Sequence, residues 1–334
     1  MPVVLVVSHS EDVHVDLVLP LISHPDIQLF RLNSDSFPRD YQFWYGYNAF
    51  GLEGQLSHLP SGAKIELKDI AAVWLRKPAD FSFITADLSS QEHAFAVEET
   101  EHSLLGLLYS LKCFWLSHPL QLRGAMWKVE QLQRAIAFGF SIPQSLITNQ
   151  PERVQRLAKS CPDGMIFKAL SSSWLAADQV EPEEQLCTGL ATTLLTEQDL
   201  SDLSAVAELP CHFQQYIEKS YELRVTVIGE QLFAARIDSQ QDKRTSVDCR
   251  DISAAIRYSP YLLPEKWARS ILDFVKSYAL FYSALDFIVT PDQQLIFLEN
   301  NPNGQFLYIE QLVPEFHLCQ ALADLLTEKA LCHS

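Results

Sequence analysis

The stretch from Asp286 to Glu310, DFIVTPDQQLIFLENNPNGQFLYIE, is apolar until it breaks into Glu299, Asn300, Asn301, Pro302, Asn303 and Gly304. Folded as a hairpin with its tip at Asp292 and Gln293, it sets Thr290 opposite Leu295, Ile288 opposite Phe297 and Asp286 opposite Glu299. Two facing carboxylates repel, and burying them unpaired costs more, so the pair calls for a shared proton or a bound cation. Asn301 follows on the same face of an extended chain. Asp286, Glu299 and Asn301 then offer oxygen ligands only, a hard-cation set suited to magnesium shared with phosphates. The competing reading has Glu299 and Asn301 capping or turning the chain before Pro302, the role expected of Asn303 and Gly304. Both faces of these strands are apolar, so the pattern alone does not pin the register.

A second hairpin, ELRVTVIGEQLFAARID, carries the opposite charge. A loop of Gly229, Glu230 and Gln231 places Arg224 opposite Arg236 on a polar face, with the apolar residues gathered on the other. Facing arginines suit an anion between them, phosphate above all. The alternative pairs them with Glu222 and Asp238 in a solvated ion-pair ladder. Lys168, ending the strand MIFK, and Lys128, on an amphipathic helix, each read either as ligand or as an ammonium reaching solvent. Asp248 is a candidate general base or simply the partner of Arg250.

Positioning these groups takes an α/β chain with three stretches of different grammar. Residues 1–120 alternate short apolar strands (VVLVV, IQLFRL, AAVWLRKP) with amphipathic segments and lack a Gly-rich phosphate loop. Residues 121–209 open with the helix AMWKVEQLQRAIAF, which stops at Gly139, and pass through SIP into strands. Residues 210–334 hold both hairpins, the helix EKWARSILDFVKSYALFY between them and a closing helix. With 334 residues, 48% of them hydrophobic, the chain can bury a large core. A net charge of −17 argues against nucleic acid or an anionic membrane as partner. The start MPVVLVVSHS reads as a buried strand and not a signal peptide, which makes the cytoplasm the expected location. The seven cysteines have no CxxC spacing, as reduced thiols would.

In order, the parts are the helix with Lys128, GFSIP, the Lys168 strand, FQQYIEKSYELRV, AARIDSQ, ALDFIV and FLENNPNG. This set resembles the ATP-grasp superfamily and, within it, the graspetide synthetases, the maturases of microviridin-type peptides. The resemblance runs from Leu5 to the last helix and includes NSDSFP, AVWLRKP, ELRVTVIGEQLFAARIDSQQ and NPNGQFLYIE. It implies an ATP-grasp fold with an N-terminal pre-ATP-grasp domain, a central domain and a C-terminal domain, with ATP between the last two. Lys128 and Lys168 would meet its phosphates, and Gln214, Gln215, Tyr216 and Ile217 would line the adenine. Arg224 and Arg236 would stabilise the moving phosphoryl group, and Asp286, Glu299 and Asn301 would hold Mg2+. Asn300, Gln215 and Cys249 depart from the family's usual residues, and ALSSSWLAAD, where a lid over the phosphates is expected, has no glycine.

The implied reaction activates an Asp or Glu side chain of a ribosomal precursor as an acyl phosphate, which a Thr or Ser hydroxyl or a Lys amine of the same peptide displaces. Rival readings are another ATP-grasp carboxylate-amine ligase, acting on free amino acids or a protein tail, and a nucleotide-binding regulator without turnover. The implied partner is the precursor, leader and core; a homodimer is left open by the sequence. In the resembled family the leader docks as a helix on the central unit, here at TTLLTEQDLSDL. Thr196 and Asp199 have capping-box spacing, so Asp199 has a local duty, whereas Asp202 is the better candidate for pairing with a leader arginine.

Overall fold

The computed structural model describes residues 1–171, 190–250 and 253–332. Most of the ALSSSWLAAD stretch lies outside these residues. The chain starts with β1 (Val3–Ser8), α1 (Val13–Val18), β2 (Gln28–Asn33), β3 (Tyr41–Asn48), β4 (Gly51–His58), β5 (Ala63–Glu66), β6 (Ile70–Leu75), α2 (Ser90–Ser110) and β7 (Phe114–Trp115). Every residue of β1, VVLVVS, is buried, as expected of a parallel strand covered on both faces. It sits in a sheet of order β2-β1-β6-β7. On one face of this sheet Leu5, Val7 and Val73 share a core with Leu104 and Leu107 of α2 and with Leu56 and Ile65 of the β3-β4-β5 meander. Helix α2 starts at a capping box, Ser89 with Glu92.

The chain continues with α3 (Pro119–Ala125), α4 (Lys128–Ala137), β8 (Ser145–Thr148), α5 (Pro151–Ser160), β9 (Met165–Lys168), β10 (Thr193–Leu194), α6 (Glu197–Ser201) and β11 (Cys211–Gln215). The sheet order is β10-β9-β11-β8. Residues 211–215, expected at the start of the third unit, thus pair inside the second, between β8 and β9.

Last come β12 (Tyr221–Ile228), β13 (Gln231–Ile237), β14 (Tyr258–Pro260), α7 (Glu265–Lys276), β15 (Tyr282–Val289), β16 (Leu295–Asn301), α8 (Leu307–Leu312) and α9 (Leu318–Cys332). They build an antiparallel sheet of order β14-β13-β12-β15-β16. Leu223, Val225, Leu285 and Phe287 turn one face of it toward Leu132 and Ala135 of α4 and Ile271 and Phe274 of α7. Helix α4, read from sequence as part of the second unit, therefore covers the third sheet. Helix α9 packs through Leu318, Leu322 and Leu326 into the core that also holds Val4, Val6 and Trp74 of the first sheet. Among the described residues no helix is long and apolar enough to cross a membrane.

Both hairpin registers differ from expectation. In the first, Ile228 pairs with Gln231 across a turn of Gly229 and Glu230, so Arg224 faces Ala235 and Leu223 faces Arg236. Gly229 adopts φ +60°, which glycine supplies at the start of a two-residue turn without steric cost. The two arginines consequently lie on opposite faces. In the second, Val289 pairs with Leu295, Ile288 with Ile296 and Phe287 with Phe297, one step away from the expected pairing. A bulge between Phe287 and Asp286 then takes up one extra residue and restores Asp286 opposite Glu299.

Candidate active site

Strands β12, β15 and β16 lie side by side, with Asp286 in register with Arg224 on one side and with Glu299 on the other. Arg224 Nη1 donates to Asp286 Oδ1 at 2.8 Å and Oδ2 at 2.7 Å. Burial opposes the guanidinium's charge, but Asp286 outweighs it and keeps Arg224 protonated. Burial also pushes the Asp286 carboxyl up; Arg224 pulls it down, and Glu299 adds to the rise. Asn301 Nδ2 donates to Asp286 Oδ2 at 2.9 Å and Glu299 Oε1 at 3.3 Å, so the expected trio is one cluster.

Both lysines converge on it. Lys128, the first residue of α4, places Nζ 3.3 Å from Glu299 Oε2 and donates to Ala169 O at 3.1 Å. Lys168 ends β9, where burial first and then the charges of Lys128 and Arg250 push its ammonium down, while Glu299 holds it up. Burial alone would raise the Glu299 carboxyl, but Lys128 and Lys168 outweigh it, and Glu299 stays ionised. The Asp286 and Glu299 side chains each keep 26% of their surface exposed, so the cluster opens to solvent.

Among the described residues no group of three His, Cys, Asp or Glu side chains could by itself hold a metal. Two carboxylates and an amide do fit magnesium of the kind that takes its remaining ligands from phosphate and water. Gly304 adds a steric condition: a Cβ there would lie 2.9 Å from both Ala284 Cβ and Arg224 Nη2. A glycine is what lets the loop after β16 close over the arginine.

Other expected site residues lie elsewhere or are already engaged. Arg236 does not join the cluster: its Nε donates to Asp238 Oδ1 at 2.7 Å and its guanidinium lies 4.0 Å from the centre of the Tyr221 ring. In the FQQYI stretch, Gln214 Nε2 donates to Ser145 Oγ at 2.8 Å. The N–H groups of Gln215 and Tyr216 are bonded to Gln144 O and Gly164 O, which shifts any contact with a base to their carbonyls and to Ile217. Asp248 binds Arg250 through Nε at 2.8 Å and through Nη2. Burial would raise this carboxyl, yet the Arg250 contact brings it down to about 2, a poor level for a general base. Asp199 accepts the Thr196 N–H at 2.8 Å and completes the capping box. Asp202, expected to be without such a duty, accepts the Ser204 N–H at 3.0 Å.

Several groups escaped the sequence reading. Gln131 of α4 bonds both backbone groups of Asn300: its Nε2 donates to Asn300 O at 2.8 Å and its Oε1 accepts Asn300 N–H at 2.9 Å. It thereby fixes the residue between Glu299 and Asn301. His212 pairs in register with Lys168, is 1% exposed, and has no partner for either ring nitrogen among the described residues. Burial, then Lys168 and Lys128, lower its imidazole to about 4 and keep it neutral. Arg250, read from sequence only as a partner of Asp248, also lowers the Lys168 ammonium and is itself held charged in part by Glu299. Only the alternation of His212 with Gln214 along one strand hinted at any of these.

Residues 3–123 match the family described as the MvdD pre-ATP grasp domain. Over 98% of this chain and 99% of that one, the sequence is 32% identical to macrocyclase MdnC from Microcystis aeruginosa MRC, solved with precursor peptide MdnA, at a TM-score of 0.83. A RiPP-associated ATP-grasp ligase from Chryseobacterium gregarium, in complex with ADP and a leader and core peptide, is 29% identical at a TM-score of 0.89, covering 98% of this chain and 97% of that one. Macrocyclase MdnB from Microcystis aeruginosa MRC is 27% identical at a TM-score of 0.77, covering 98% and 99%. No curated protein matches. With an N-terminal pre-ATP-grasp domain followed by an ATP-grasp fold, and 32% identity over nearly the whole chain, the protein belongs to the graspetide synthetases, the ATP-grasp macrocyclases of ribosomal peptides, and is an ATP-dependent ligase.

Proposed function

We propose that this ligase closes rings in a ribosomal precursor peptide by activating Asp or Glu side chains with ATP. The observation that carries the reading is the convergence of Lys128, Lys168 and Arg224 on Asp286, Glu299 and Asn301. Lys128 and Lys168 hold the phosphates of ATP, and the Gln214 to Ile217 stretch lies along the base. Magnesium, held by Asp286, Glu299 and Asn301 with phosphate oxygens, would neutralise and align those phosphates. A substrate carboxylate oxygen attacks the γ-phosphorus, the bond to the β-phosphate oxygen breaks, and ADP leaves. Arg224, kept charged by Asp286, faces the charge that spreads over the phosphoryl oxygens in that step. A hydroxyl or amine of the same peptide then attacks the acyl carbon, giving up its proton as inorganic phosphate departs.

The test is mass spectrometry after incubation with ATP, magnesium and candidate peptides rich in Thr, Ser or Lys with Asp or Glu. Loss of one water per linkage supports ring closure. A gain in mass would assign the chain to residue addition, and unchanged peptide mass with every candidate would count against turnover on peptides.

Leader docking rests on Asp202, at the C-terminal end of α6. Asp202→Asn keeps the turn to Ser204 and removes only the charge. It is expected to weaken binding of a leader peptide by up to about fivefold at low salt and to flatten the salt dependence, with ADP binding unchanged. Equal leader affinity in calorimetry would move the docking site elsewhere.

A further inference from the structure

Arg76, just after β6, is among the largest fully buried side chains, at 2% exposure. Its Nη1 donates to Asn303 O at 2.7 Å and Asn303 Oδ1 at 2.9 Å, and Asn303 Nδ2 donates back to Arg76 O. The Arg76 N–H is bonded to Val7 O at 2.9 Å, anchoring this clasp in the first sheet. Among the described residues no carboxylate lies within ion-pair distance, and Nε and Nη2 have no hydrogen-bond partner; burial pushes the guanidinium down, and the buried Asp12 carboxylate opposes this only from a distance. The gap beside it, lined by Trp74, Tyr282, Phe306 and Leu322, is too small for water. It therefore holds no ligand and offers the bare N–H groups no solvent.

A buried cation whose counter-charge, Asp12, stands beyond contact is a poor stabilising device, because an apolar side chain of similar shape often does as well. Its bonds point to another task. Asn303 stands two residues beyond Asn301 and next to Gly304, whose missing Cβ makes room for Arg224 Nη2. Arg224 Nη2 also donates to Gln305 O at 3.2 Å, and Tyr282 OH donates to Gly304 O at 2.8 Å. The third unit thus holds this loop at Gly304 and Gln305, and the first unit holds it at Asn303 through Arg76.

We propose that Arg76 is a positioning residue: through Asn303 it ties the first sheet to the loop after β16 and so sets Asn301 against Asp286 and Glu299. The proposal rests on the reading of those three as magnesium ligands. Groups that orient metal ligands are typically worth about ten to a hundredfold in metal affinity.

The test uses the full chain and ADP, with calorimetry in EDTA and in magnesium. The ratio of the two ADP affinities, the magnesium increment, needs no peptide and no turnover. Arg76→Met is expected to melt near the wild-type temperature and to bind ADP in EDTA like wild type, but to lose about tenfold or more of the magnesium increment. A merely structural arginine gives the reverse, a lower melting temperature with the increment intact, and overturns the proposal. Asn303→Ala cuts the clasp from the loop side and decides the matter if Arg76→Met does not fold: it must lose the increment as well, and an intact increment overturns the proposal. Glu299→Gln separates the two levels. If it too keeps the increment, the ligand reading has failed; if it loses the increment while Arg76→Met and Asn303→Ala keep it, only the role of Arg76 has.

Discussion

Glu299→Gln is expected to lower turnover by at least about a thousandfold while leaving the fold in place. The substitution keeps the shape of the side chain, and Gln131 still bonds both backbone groups of Asn300, so β16 keeps its end. What disappears is the charge. Lys128 and Lys168 both depress the Glu299 carboxyl, so in wild type it is the counter-ion of two ammonium groups as well as an oxygen ligand. A neutral amide removes that anion and supplies only one oxygen. ADP release under single-turnover conditions measures the loss, and a matching melting curve shows that folding is not the cause. Turnover within about tenfold of wild type would remove Glu299 from the metal site. Asn301→Ala is expected to behave alike, since Asn301 bridges the two carboxylates.

Arg224→Ala should cost turnover about three to five powers of ten and leave ADP affinity far less affected, because the contact matters most when the phosphoryl group is in transit. The variant also strands Asp286, already pushed up by burial, without its partner. Losing half of a buried pair destabilises by about 3–5 kcal/mol, so turnover is normalised to folded enzyme. Arg224→Lys gives the cleaner comparison. It retains one charge beside Asp286 but lacks the second donor that reaches Gln305 O. A loss shared by both variants, with ADP binding preserved, identifies geometry and not charge alone as the contribution. An unchanged rate in Arg224→Lys together with a large loss in Arg224→Ala would reduce the role to charge, and unchanged rates in both would take Arg224 out of the mechanism.

What the sequence determined by itself was local. The residue types at the end of β16, the alternation that puts Glu299 and Asn301 on one face, the stop of α4 near Gly139 and the Thr196–Asp199 capping box all depend on neighbours a few residues away. The order of the parts along the chain sufficed to suggest the family. Register was a different matter. Alternation placed Arg224 on the face away from Leu223 and Val225, but it did not fix how β12 pairs with β13. The two-residue turn at Gly229 and the bulge beside Asp286 decided it, sending Arg236 to the opposite face and bringing Asp286 level with Glu299. Gln131 with Asn300, Lys128 with Glu299 and Arg76 with Asn303 were likewise decided only by packing. Each pair joins residues more than 150 positions apart, and no local pattern reports a contact made only when separate sheets and helices close around a common core.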